Sequence, residues 1–420
     1  MRSLLVVSVT CAFLKHATSQ DNILDNVTNL GDDTISQRRD KNFTELVAYD
    51  GYNSETYTVT TDDGYILSVF RIPVNKSCKD SSNLEPIIFM HGLYLSGDDC
   101  IIPGPGKAHC YIYSDACYDV WVPNNRGNRY SRQHKSLDPD KDPEFWNFAM
   151  DEMALHDLPA IIDYVLDKTN KKQVYYVGHS QAVGTLLLLC AKKPQYNDKI
   201  KLGFGMSPTA WLENSRFIVI KVEAAANEIL KTANNETNIE FLPYGGFFQN
   251  AGKILCGSKA SYLACSALLF SVLGFNKFQI TSDVLPVLPG HLPAGTSLKD
   301  FLRWGQMVTN GFSEYDYGSK QNLELYGQEK PPTIDLSPVT MRWIFFASEN
   351  DYVSDVKDVK TLVSALTRSD AKMCLLADKS FGHLDFLYAD NLAKYVAPDI
   401  LSTMKTGEYA CNIDSLSNLL

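Results

Sequence analysis

Short, almost unbroken apolar runs recur along the chain: "IIFM" (87–90), "YDVWVP" (118–123), "VYYV" (174–177), "KLGFGM" (201–206), "WIFFAS" (343–348) and "KMCLL" (372–376). Each has the length of a strand and lacks the polar alternation of a strand with one wet face, so each predicts a strand covered on both sides. Between several of them lie helical patterns. The clearest is "FWNFAMDEMALHDLPAIIDYVLDK" (145–168), with Met153, Ile161, Val165 and Leu166 among its apolar positions and acidic residues between. Buried strands alternating with helices predict an α/β fold, a mostly parallel central sheet with helices on both faces. Upstream, "YTVTTDDGYILSVFRIP" sets β-rich runs on either side of Asp63-Gly64, which predicts a hairpin because its turn needs residues tolerant of positive φ.

From about residue 209 to 335 the texture changes. Strand-like runs give way to loops and short helical patterns around "GGFF" (245–248), "SALLFSVLGF" (266–275) and "VLPVLPGHLPAG" (284–295). The stretch reads as a mainly helical cap inserted into the sheet domain; a separate domain of unrelated function is the alternative. The expected organisation is therefore a leader at 1–19, a polar lead at 20–48, sheet domain at 49–208, cap at 209–335 and the rest of the sheet domain at 336–420.

The leader is expected from Arg2, the apolar stretch "LLVVSVTCAFL" (4–14) and the small residues Ala17 and Ser19 before a cleavage site. Eleven apolar residues are too few to cross a bilayer, which needs about 20. No other run comes close, so a soluble exported protein is expected. Sequons at Asn26, Asn42, Asn75 and Asn235 fit export as candidate N-glycosylation sites. Without the leader's Cys11, the cysteines are Cys78, Cys100, Cys110, Cys117, Cys190, Cys256, Cys265, Cys374 and Cys411, an odd set that leaves at least one thiol free. Cys190 and Cys374, both in apolar runs, read as buried small hydrophobes.

Apolar residues make up 45% of the chain, enough for a sizeable core. The formal charge of −10 argues against nucleic acid, which calls for clustered Lys and Arg. The one basic cluster, "NNRGNRYSRQHK" (124–135), is short and reads as a hydrogen-bonding loop.

Candidate chemistry centres on "VYYVGHSQAVG" (174–184), a strand running into a sharp turn that presents Ser180 and then opens a helix, the shape of a nucleophile elbow. A serine hydroxyl needs a base to take its proton and a third group to orient that base. In this type of sheet the order is serine, acid, histidine on loops after later strands. Of the eight histidines, only His383 lies beyond the candidate acid loops, just after the strand at 372–376. For the acid, "WIFFASENDYVSDVKDV" offers Asp351, close enough to its strand yet leaving room for a turn, with Glu349 as the rival. Asp355 and Asp358 read as the first turn of a helix. Two donors for an oxyanion are expected from backbone N–H groups, at Leu93 after the turn His91-Gly92 and at Gln181 at the start of the elbow helix.

Long motifs then resemble one family. "GYNSETYTVTTDDGYILSVFRIP", "HGLYLSG", "YDVWVPNNRGNRYSRQHKSLDPDKDPEFWNFAMDEMALHDLPAIIDYVL", "LPAGTSLKDFLRWGQMV", "YDYGSKQNLELYGQEKPP", "ENDYVSDVKDV" and "GHLDFLYA" cover most of the chain and look like the acid lipases of the α/β-hydrolase fold, the group containing gastric and lysosomal acid lipases. The resemblance implies Ser180, Asp351 and His383 as catalytic triad, Leu93 and Gln181 as oxyanion positions, and a cap disulfide between Cys256 and Cys265. It also implies a secreted or lysosomal enzyme that hydrolyses neutral lipid esters, triacylglycerols or cholesteryl esters, through an acyl-enzyme.

Two features depart from that pattern. Ala182 stands where the elbow usually has glycine, and Cys100, Cys110 and Cys117 cluster after the oxyanion loop, where a Cys100–Cys110 bridge would restrain a loop beside the pocket. An esterase or phospholipase with the same chemistry is the near alternative, and an inactive lipid carrier, for which Ala182 is the one support, the distant one. A water-insoluble ester calls for apolar surface, with Phe247, Phe248, Leu268, Leu269 and Phe270 as candidates that read more readily as cap core. "DPDKDPE" (138–144) fails as a calcium loop, since Pro143 and Ala149 occupy the positions of the glycine and the bidentate glutamate. No P-loop, dinucleotide fingerprint or zinc spacing is present, and no cofactor is expected.

Overall fold

The computed structural model describes residues 37–74, 78, 84–226, 238–256, 279–281 and 283–411. The expected leader, Asn26, Asn75, Asn235, Cys265 and Leu268 to Phe270 lie outside the described residues. The core is one eight-stranded sheet: β1 (Glu55–Thr60), β2 (Ile66–Ile72), β3 (Pro86–Met90), β4 (Asp119–Pro123), β5 (Val174–His179), β6 (Ile200–Met206), β9 (Trp343–Ala347) and β10 (Ala371–Leu375), ordered β1-β2-β4-β3-β5-β6-β9-β10. A short antiparallel pair, β7 (Glu240–Phe241) and β8 (Thr296–Ser297), stands apart from it. From β4 onward all pairs in the large sheet are parallel, whereas β1 and β2 join antiparallel.

All six apolar runs became strands of this sheet, and their lack of alternation has a direct cause. Along β3, Ile87 and Phe89 face one apolar cluster with Val120, Val177, Phe204 and Phe346, while Ile88 and Met90 face the other with Trp121, Tyr176, Leu186 and Phe345. With both faces dry, every position can be apolar. The outer strand β1 does alternate, since one face stays wet.

The hairpin turns where expected. Gly64 has φ +105, and a Cβ there would stand 2.7 Å from His134 Nε2, so the position needs glycine twice over. The turn is tied down by the basic loop: buried Arg126 reaches Asp63 at 2.7 Å on one side and Asp157 at 2.7 Å on the other. Arg129 meets Asp98, and Arg132 meets Glu240 and Asp140, so the cluster is used internally.

The helical stretch 145–168 is not one helix. A 3-10 turn (Pro143–Trp146) precedes a short α turn (Met150–Glu152), a π turn (Met153–Asp157) and the main helix Leu158–Thr169. Pro159 has no N–H to offer the carbonyl four residues back, so the ladder widens there. The carbonyl four residues before Pro159, that of Leu155, accepts from Lys193 Nζ at 2.7 Å.

Within the expected cap, the helices Phe247–Leu255, Leu298–Asn310 and Ser319–Tyr326 are formed. Leu298, Phe301, Leu302, Trp304 and Met307 pack into the same cluster as the elbow helix, so the helix Leu298–Asn310 is seated on the sheet. Phe247 and Phe248 are not cap core: they are 80% and 65% exposed, because Gln249 is the buried residue of that helix.

Disulfides join Cys78 to Cys117, Cys100 to Cys110 and Cys374 to Cys411. Cys374 is therefore half of a bridge from β10 to residue 411 and not a plain hydrophobe, although it is fully buried. Among the described residues Cys190 is a buried free thiol. Cys256 is disulfide-bonded, its expected partner Cys265 lying outside the described residues. Asn42, the described sequon, caps the helix Phe43–Tyr49 by accepting from the Glu45 N–H at 3.0 Å.

Candidate active site

The carboxyl ends of β3, β5, β6, β9 and β10 all open on one edge of the sheet, where parallel topology gathers loops. Ser180 follows β5 directly. Its backbone sits at φ 57, ψ −120, strained for a residue with a side chain, and is held there by its N–H donating to Met206 O at 2.9 Å. The elbow helix Gln181–Lys192 starts at the next residue.

Ala182 fits into this turn. Its methyl is buried, and its carbonyl accepts from the Tyr176 hydroxyl at 2.8 Å. Gly178 opposite is what leaves room: a Cβ there would come within 3.2 Å of the Ala182 Cβ and 2.7 Å of the Tyr176 ring.

His383 follows β10 and turns its ring between two partners. Nε2 lies 3.0 Å from Ser180 Oγ, and Nδ1 lies 3.1 Å from each Asp351 oxygen. Asp351, after β9, is fully buried, and its Oδ1 accepts from the Val353 and Ser354 N–H groups at 2.9 Å each. Those bonds fix the carboxylate's orientation before any ligand arrives. The rival acid Glu349 points outward to Lys379 at 3.4 Å. Asp355 caps the helix Val356–Ala365 and Asp358 lies in its first turn, as read from the sequence.

A hydroxyl that sequence reasoning missed joins this group. Ser207, immediately after β6, donates to Asp351 Oδ2 and meets His383 Nδ1 at the same time. Its signal was positional only: a polar residue ending a buried strand at the edge that carries Ser180 and Asp351.

The loop after β3 closes against the serine. A Cβ on Gly92 would be 3.0 Å from Ser180 Cβ, so only glycine lets this backbone approach. Beyond it, the N–H groups of Leu93 and Gln181 carry no hydrogen-bond acceptor among the described residues. His91 holds the loop: Nδ1 donates to Gly92 O at 2.8 Å while Nε2 accepts from the Asn125 N–H at 3.1 Å. Burial pushes its pKa down to about 4, so the ring stays neutral and serves both bonds. His179 is likewise driven well below the usual range by burial, and its Nε2 reaches the His383 carbonyl at 3.0 Å. Both are structural partners of their loops.

Chemically, the arrangement offers a hydroxyl beside an imidazole, a buried carboxylate behind that ring, and two free N–H groups, one in the loop after β3 and one at the start of the elbow helix. The sequence candidates Ser180, Asp351, His383, Leu93 and Gln181 are thus brought to one edge. The side chains around Gln181 were not foreseen: Asp300 and Trp304, from the helix Leu298–Asn310, grip its amide.

Two family models match the chain: the partial alpha/beta-hydrolase lipase region over residues 43–103 and the alpha/beta hydrolase fold over 85–304. Among curated proteins, gastric triacylglycerol lipase of Rattus norvegicus is 34% identical over 366 residues, 86% of this chain and 91% of that one. Lipase member K of Homo sapiens is 32% identical over 88% of this chain and 92% of its own length. Lipase 3 of Drosophila melanogaster is 34% identical over 87% and 93%.

Proposed function

The chain belongs to the lipases of the α/β-hydrolase family, and on that footing we propose that it hydrolyses neutral lipid esters, triacylglycerols or cholesteryl esters, with Ser180 as nucleophile, His383 as base and Asp351 as the acid that orients it. The observation that carries the proposal is the run of contacts from Ser180 Oγ to His383 Nε2 at 3.0 Å and from His383 Nδ1 to Asp351 at 3.1 Å.

In the first step His383 Nε2 takes the Ser180 proton as Oγ attacks the ester carbonyl. Negative charge moves onto the carbonyl oxygen, where the N–H groups of Leu93 and Gln181 meet it; one such donor is worth roughly 10² to 10³ in turnover. The imidazolium is balanced by Asp351 and returns its proton to the leaving alcohol. Water, deprotonated by His383, then attacks the acyl-enzyme and releases the fatty acid.

Support for a lipid substrate comes from the gastric triacylglycerol lipases among the relatives and from apolar side chains left in water. Phe247, Phe248, Ile254 and Leu255 on one cap helix, and Ile218, Val219 and Val222 on another segment of the expected cap, expose apolar surface of the kind that meets a lipid interface. Disulfides and the leader-like start support a secreted or lysosomal destination. No helix among the described residues is long and apolar enough to cross a membrane.

The test is an activity panel of emulsified triacylglycerol, cholesteryl ester, phospholipid and soluble short-chain esters at acidic and neutral pH, run beside labelling with an alkyl phosphonate. Hydrolysis of the neutral lipids and a phosphonate adduct on Ser180, both lost in Ser180→Ala, are expected. An adduct elsewhere, or turnover surviving in Ser180→Ala, would reject the assignment.

A further inference from the structure

The Gln181 side chain is held at both ends by one helix of the inserted segment. Its Nε2 donates to Asp300 at 3.0 Å and 3.1 Å, and its Oε1 accepts from Trp304 Nε1 at 2.8 Å. Asp300 and Trp304 are four residues apart on the helix Leu298–Asn310, hence on one face of it. Asp300 is itself fixed, accepting from the Thr296 hydroxyl at 2.9 Å while its N–H donates to Ser297 Oγ at 3.0 Å. It is fully buried, and no cation forms an ion pair with it among the described residues.

A carboxyl in that position is costly, and an apolar residue would fill the space at less expense. What the polar group accomplishes is geometric. Gln181 is the residue whose backbone N–H opens the elbow helix beside Ser180. A small cavity lined by Leu93, Tyr94, Asn125, Met153, Gln181 and Asp300 adjoins it.

We propose that Asp300, assisted by Trp304, is a positioning residue of the oxyanion hole, which couples the seating of the helix Leu298–Asn310 to the alignment of the Gln181 N–H with the ester carbonyl. The proposal rests on Gln181 acting as an oxyanion donor. Loss of the grip lowers turnover without weakening substrate binding, because the donor acts on charge that develops only in the transition state.

The experiment compares Asp300→Ala, Asp300→Asn and Trp304→Phe on a soluble short-chain ester, with active sites counted by phosphonate titration. Trp304→Phe keeps the ring and loses only the N–H, and should lower kcat about tenfold with KM within about twofold, as expected for a slightly misplaced group. Asp300→Ala should fall further, and Asp300→Asn, whose oxygen still accepts from Gln181, should regain most of the loss. Titration confines the rates to folded sites, so poor folding of Asp300→Ala leaves Trp304→Phe and Asp300→Asn decisive. Unchanged kcat in Trp304→Phe and in titratable Asp300→Ala, or a loss carried wholly by KM, would overturn the proposal. Failure of the underlying triad assignment would show separately, as a wild-type protein that takes no phosphonate on Ser180.

Discussion

Ser207 Oγ meets His383 Nδ1 on the side of the ring that faces Asp351, so the imidazole is oriented by a hydroxyl as well as by a carboxylate. Hydrogen bonds to charged groups contribute about 1.5–3 kcal/mol. Ser207→Ala should therefore lower kcat/KM by about tenfold or more while leaving the melting temperature within a few degrees. Steady-state kinetics on a soluble ester checks it, and a wild-type rate would show that Asp351 alone suffices.

Asp351→Asn keeps the shape of the site but removes the charge behind the imidazole and favours the wrong ring tautomer. A loss of about 10⁴ in kcat is expected from the equivalent change in other triads. Glu349→Gln, at the surface beside Lys379, should change kcat less than twofold. The reverse ranking would return the acid's role to Glu349.

Burial raises the Asp300 carboxyl from its ordinary value to about 7, with Gln181 and Thr296 pulling the other way. The negative charge of Asp151 adds to the rise. Between about pH 4 and 7 the unfolded chain has lost this proton and the folded chain keeps it, so folding stability from this group falls as pH rises. His91 and His109, driven down to about 4 by burial, act in the opposite sense over the same window, which makes the variant's difference the informative quantity. Asp300→Asn should gain stability relative to wild type as pH climbs from 4 to 7, on the order of 3 kcal/mol. Urea midpoints at intervals across that range measure it; a pH-independent difference would contradict the raised value.

Phe247 and Phe248, mostly in solvent, contribute little to the fold. Replacing both with serine should leave the melting temperature and soluble-ester kinetics unchanged, while activity on an emulsion falls several-fold. Equal losses on both substrates would remove these rings from interfacial contact.

Much of the sheet was legible because strands dry on both faces advertise themselves, and Ser180, Asp351 and His383 because each ends or follows such a strand. Ser207 had no comparable mark, since a serine after a strand is ordinary and its meaning comes from neighbours 144 and 176 residues away. Asp300 was hidden for the same reason, its partner Gln181 being 119 positions off. Cys374 was misread because "KMCLL" gives no hint of residue 411, and the break near Pro159 because helical periodicity outweighed one missing N–H. Exposure of Phe247 and Phe248 ran against the habit of large apolar rings.

On the proposed role of Ser180, its unfavourable φ sets heat tolerance against turnover at a single residue. Glycine accepts that backbone freely, whereas a side chain there costs on the order of 1–3 kcal/mol. Screening variants for thermal hardiness alone would thus reward glycine at position 180, and the sturdiest survivor would be an idle one.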